Sequence, residues 1–201
     1  MKKKVPDDGI RSLVLVSIIH TEADMGSLAE SLRDASVHRI GWDGRTRKQR
    51  LIEKFWSAVE QAVEALELDY GRVRLYQDGL PICSAEKEIV MELAKSGSRN
   101  HKLLLSLVEK GGILMGTESP ELLKKEYELA KRMLSARTKP TDVYDKKQSE
   151  ELLKERDAFI ANRINETLLP GETGILFVGM LHRLEGLLQK DIKQFFLVKG
   201  L

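Results

Sequence analysis

Ile175-Leu176-Phe177-Val178-Gly179-Met180-Leu181-His182 is the stretch that decides how this chain folds. Four consecutive apolar residues, rich in β-branched and aromatic types, read as a buried strand. Gly179 lets the backbone turn, and a histidine stands at the mouth of that turn. The start of the chain repeats the arrangement. Leu13 to Ile19 is a second apolar, β-branched run, and it closes as Ser17-Ile18-Ile19-His20. Two histidines at the ends of two core strands point to a polar site.

Working outward, periodicity predicts strands alternating with helices. A first strand covers about 12–19 and a helix about 27–35, followed by a basic loop from His38 to Arg50. A helix over 48–68 carries Leu51, Phe55, Val59, Ala62 and Leu66 on one face. Val73-Arg74-Leu75-Tyr76 alternates as a half-buried strand. Helices at about 85–96 and 100–110 precede a strand at Ile113-Leu114-Met115. Ser119 followed by Pro120 signals the start of a helix running to about 135. Ser135 to Lys147, with Pro140 and no apolar period, is expected to be a mobile loop. A helix over 148–168, a strand over 174–178, a helix over 182–190 and a strand over 193–198 complete the pattern. Strands separated by helices imply right-handed crossovers. The expected fold is α/β, a mainly parallel sheet of about five strands with helices on both faces, forming a single domain over 1–201.

Composition narrows the function classes. The chain has 201 residues, 42% hydrophobic and 32% charged, with a net charge of +2. That balance supplies no bulk field for nucleic acid or an anionic membrane. No apolar run reaches the roughly 18 residues needed to span a bilayer. The single cysteine, Cys83, leaves no internal disulfide and fits a cytoplasmic protein. The run Asp43 to Arg50 is basic but has no interleaved aromatics for stacking on single strands. No Walker-type or dinucleotide loop occurs.

In an open α/β sheet, ligands sit beyond the carboxyl ends of the strands. Reading just past each strand gives His20, Asp78, Glu118 and His182, with Asp24 close behind His20. Two neutral histidines with one or two carboxylates make a reasonable divalent metal site. Glu118 is then either a ligand or a general base. On the helix 148–168, Arg156 lies on the side set by Leu152, Phe159, Ile160 and Ile164, and Arg163 points the same way. A buried arginine needs an anion. That anion is either a structural acid or a substrate carboxylate or oxyanion.

The C-terminal third resembles the TraB/TIKI superfamily, which includes the erythromycin-esterase-like and ChaN-like proteins. The residues that carry the resemblance are Gly179-Met180-Leu181-His182 as the late Gly-x-x-His motif and Glu155-Arg156-Asp157-Ala158-Phe159-Ile160-Ala161 as the arginine helix. Ser17-Ile18-Ile19-His20 stands for the early motif, with Ser replacing Gly, and Glu118 for the intervening acid. The resemblance implies an α/β fold and a metal-dependent hydrolase of a peptide, ester or related bond. Its site would hold a divalent metal on His20, His182, Glu118 and Asp78, with Glu118, Arg156 and His182 catalytic. The alternative is a non-catalytic protein holding an anionic metabolite or a haem-like ligand in the same cleft. A third reading is a homodimer formed through the helix 48–68.

Overall fold

A computed structural model of the chain describes residues 3–4, 9–24, 29–135 and 143–198. The short strands β1 (Lys3–Lys4) and β3 (Leu66–Glu67) pair in parallel as a separate two-stranded sheet. The central sheet is formed by β2 (Arg11–Ile18), β4 (Val73–Gln77), β5 (Ile113–Met115), β6 (Thr173–Gly179) and β7 (Ile192–Val198). Its order is β5-β4-β6-β2-β7, and every pairing is parallel. The fold is therefore α/β, as the alternation of strands and helices implies.

Register does the work that matters for the site. β2 and β6, the two strands that lead into histidine turns, are neighbours, and Ile18 pairs with Gly179. On the other side of β6, Gln77 pairs with Phe177. An isolated parallel bridge joins Pro81 to Glu118 and continues the β4–β5 edge past the strand ends. The residues after β2, β4, β5 and β6 thus emerge along one rim of the sheet.

Alternation along the strands sorts side chains into two cores. Val14, Val16, Ile18, Val73, Leu75, Ile175 and Phe177 face one way. They pack against α1 (Ala29–Glu64), α2 (Glu86–Lys95) and α3 (Arg99–Glu109), through Phe55, Trp56, Val59, Val63, Val90 and Leu104. Leu13, Leu15, Tyr76, Leu176 and Val178 face the other way, against Ile160, Ala161 and Ile164 of α5 (Val143–Thr167). Before α5, α4 (Pro120–Ser135) follows the edge strand β5, with Ser119 at its start accepting from the Leu122 N–H. Helices cover both faces.

Three expectations are corrected. The basic segment His38 to Arg50 is not a loop but part of α1, a single helix of 36 residues and about 54 Å. Gly41 and Gly44 lie inside this helix, and each costs it only about 1 kcal/mol. The apolar face from Phe55 to Val63 anchors the continuous helix. The loop expected over 135–147 is narrower: Ser135 closes α4, Val143 opens α5, and 136–142 lie outside the described residues. Within α5, Lys146 and Lys147 reach Glu150 and Glu151 one turn on, the spacing that supports a helix without an apolar period. The helix expected over 182–190 is a series of turns. Leu184 and Leu188 are both buried, and their four-residue spacing imitates a helix face.

Phe177 is fully buried at the centre of the first core. Phe177→Ala is expected to lower stability by about 3–5 kcal/mol, the range for a buried aromatic truncated to a cavity. Urea unfolding followed by tryptophan fluorescence measures this. A loss under about 1 kcal/mol, the size of a surface change, would contradict the packing described.

Candidate active site at the strand ends

Asp78, the first residue after β4, is the centre of the rim. Its backbone N–H bonds the Phe177 carbonyl at 2.9 Å, which continues the sheet by one residue. Its Oδ2 lies 3.0 Å from His20 Nε2 and 3.2 Å from His182 Nε2, and it accepts the Gly179 N–H at 2.9 Å. Its Oδ1 accepts from Arg156 Nη2 at 2.7 Å. Arg156 also grips Glu118 with two parallel bonds, Nε to Oε2 at 2.6 Å and Nη2 to Oε1 at 2.7 Å. A third acid, Glu126 on α4, accepts from Nη1. Glu118 is placed by its own backbone, since its N–H reaches the Leu80 carbonyl and its carbonyl accepts the Ile82 N–H. Gly79, at φ +79°, turns its N–H onto Glu118 Oε1 at 2.7 Å.

The two histidines are held differently. His182 Nδ1 is 2.6 Å from Asp157 Oδ1, and Asp157 Oδ2 accepts the Arg183 N–H. With Nε2 on Asp78, the His182 ring is fixed at both nitrogens and its side chain is only 5% exposed. His20 touches Asp78 through Nε2 alone, and 31% of its side chain is open.

Electrostatics follow from the geometry. Burial pushes both imidazoles toward neutrality, but the hydrogen bond and charge of Asp78 outweigh it, and both pKa values lie above 6.5. Burial also opposes the Asp78 carboxylate, but the two histidines hold its pKa well below 3.8. Glu118 moves the other way. Burial, with the Asp78 charge adding to it, lifts its pKa above 4.5 against the pull of Arg156. The two neighbouring carboxyl groups are thus shifted in opposite directions by their surroundings, while both accept from Arg156.

His20, Asp78, Glu118, Arg156 and His182 therefore stand in one hydrogen-bonded network. Asp24 does not join it directly. Its Oδ2 accepts the Thr21 N–H at 2.5 Å and the Thr21 hydroxyl at 2.8 Å, while Oδ1 meets Ser98 and, at 3.3 Å, His101 Nδ1. Burial resists that carboxylate, but these bonds bring its pKa down to about 2. Arg163 bonds the Gly116 carbonyl at 3.0 Å and takes no part. The sequence reading overlooked Asp157 and Glu126. Asp157 carried a signal: Leu153 and Ile160, four residues before it and three after, place it on the apolar side of α5.

Gly179 is required by close approach. A Cβ there would lie 2.9 Å from Asp78 Oδ2 and 3.2 Å from His20 Nε2. Both neighbours are held by other bonds and cannot swing aside cheaply.

The metal set expected from the sequence does not match the donors. Both Glu118 oxygens are bound by Arg156, and the free direction of Asp78 Oδ2 is taken by two imidazole nitrogens and an amide. Among the described residues no group of three or more His, Cys, Asp and Glu side chains is arranged to hold a metal ion. Arg156 supplies the positive charge between the carboxylates. Among the described residues, too, no helix is long and apolar enough to cross a membrane.

No protein-family model, curated protein or solved structure matches the chain.

Two outcomes test the network. Raised histidine pKa values mean that stability from their protonated forms is complete below 6.5 and is lost as pH rises through the raised values. Thermal melts scanned upward from below that pH are expected to show falling stability, and a flat profile would count against the Asp78 contacts. Gly179→Ala is expected to cost about 1–3 kcal/mol by overpacking and to lower the His20 pKa by moving Asp78. A neutral effect on both would mean the rim is loosely packed.

Proposed function

We propose that the chain is a hydrolase whose active site is this rim, acting on a peptide, ester or related bond in a small molecule or peptide, with His20 as the proton-transfer group. The observation that supports it is the asymmetry between the two histidines on one ionised carboxylate. Asp78 takes the Nε2 side of His20, so Nδ1 is the nitrogen left to work toward solvent. A buried carboxylate behind a partly open imidazole fixes its tautomer and stabilises the imidazolium formed when it accepts a proton.

In this reading neutral His20 removes a proton from the attacking water through Nδ1 and returns it to the leaving group. Asp78 holds the resulting imidazolium. His182, locked between Asp78 and Asp157, keeps Asp78 ionised and oriented. Arg156 fixes the relative position of Asp78 and Glu118. The cluster of buried ionisable groups at a sheet's carboxyl rim favours a functional site over a structural one, because unneeded buried charges are costly. No step runs through a metal ion. A protein that only binds an anion on Arg156 is less well supported, because it leaves the pairing of a partly open His20 with ionised Asp78 without a role.

The test is a panel of chromogenic esters and peptides assayed with wild type and His20→Gln. A general base contributes typically 10²–10⁴-fold, so His20→Gln, assayed above the raised His20 pKa where the wild-type ring is neutral, is expected to lower kcat by at least about 100-fold, with a cooperative melting transition showing that the variant is folded. The wild-type rate should rise with pH through the raised His20 pKa and survive a chelator. Turnover indifferent to His20→Gln, or none on any substrate, would defeat the proposal.

A further inference from the structure

The third acid on Arg156 differs from the other two. Glu118 and Asp78 are almost wholly buried, and each is held by further donors, Gly79 N–H for the first and Gly179 N–H with two histidines for the second. Glu126 reaches Arg156 Nη1 from α4 with its side chain 48% exposed. Arg156 is the partner seen for it among the described residues. The guanidinium is thus fixed on its buried side and covered on its outer side by a carboxylate that can leave for water.

We propose that Glu126 stands in for a substrate carboxylate, and that the hydrolase proposed above takes substrates bearing a carboxylate that replaces Glu126 on Arg156 Nη1. The inference rests on that hydrolytic reading for the word substrate, but the binding step stands alone. The exchange is balanced in charge, one carboxylate for another, so the buried cation is never left uncompensated. A charge-assisted bond to guanidinium is among the stronger hydrogen bonds available to an incoming acid. The way in is Glu126 itself: its half-exposed side chain is the part of the Arg156 shell in contact with water, so an incoming acid takes its place without disturbing Glu118 or Asp78.

Acetate is the simplest probe, with acetamide as its uncharged counterpart. Acetate titration of Glu126→Ala, followed by NMR at the Arg156 side-chain N–H resonances, is expected to show binding at least tenfold tighter than to wild type. Acetamide should shift nothing, and adding Arg156→Lys, with the titration followed at the Gly79 backbone amide, should remove the gain. In the wild-type protein the same titration should move the Glu126 carboxyl carbon toward its free position, a readout that does not depend on a variant folding. Glu126→Ala binding acetate no better than wild type, acetamide acting equally, the gain surviving Arg156→Lys, or a Glu126 carbon unmoved by saturating acetate would each overturn the proposal. None of these readouts uses turnover, so a failed hydrolase assay and a failed carboxylate site are told apart.

Discussion

An ionised carboxylate on Asp78 with almost no exposed surface is the constraint on which the rest of this structure depends. Burying such a charge costs several kcal/mol unless donors replace the lost water. Here they come from four parts of the chain: His20 after β2, the Gly179 amide at the end of β6, His182 in the turn beyond it, and Arg156 on α5. Each donor is delivered by register. Because β4, β6 and β2 are adjacent and parallel, their exits share one rim, and α5 packs across the face from which Arg156 can reach it. Removing any one partner leaves the others with an unmatched charge, so the rim is a cooperative unit.

That unit divides labour between chemically identical residues. His20 and His182 share one oxygen of Asp78, but only His182 has a second carboxylate behind it. One ring is locked as part of the wall, and the other keeps a working edge. The carboxyl pair shows the same division, with the Asp78 pKa held down by its histidines and the Glu118 pKa raised by burial although Arg156 grips both of its oxygens. Differences of environment, more than of residue type, give the site its roles.

The fold was largely legible because the strands are short apolar runs that end in glycine or acidic turns, and because Leu13–Ile18 and Ile175–Val178 cannot be anything but core. The rim residues His20, Asp78, Glu118 and His182 were legible for the same reason: position after a strand is a local property, and parallel topology makes it a shared one. Arg156 was found as a cation on an apolar helix face. What could not be read was pairing. Nothing in the spacing says that Arg156 satisfies itself with Glu118 and Asp78 instead of presenting a bare charge, or that Asp24 turns to Ser98 and His101. The metal expectation rests on donor types at the strand ends, and spacing does not say that these donors engage one another and Arg156. Long-range continuity was also hidden at α1, where the basic run His38 to Arg50 read as a loop and packing further along the helix carries it through.

The most direct test of the central claim is the ionisation and tautomer of His20, measured by nitrogen-15 NMR across a pH titration. If Asp78 holds Nε2, the neutral ring carries its proton on Nε2, Nδ1 is bare, and the pKa lies above 6.5. A neutral ring protonated on Nδ1, or a pKa at or below 6.5, would contradict the account.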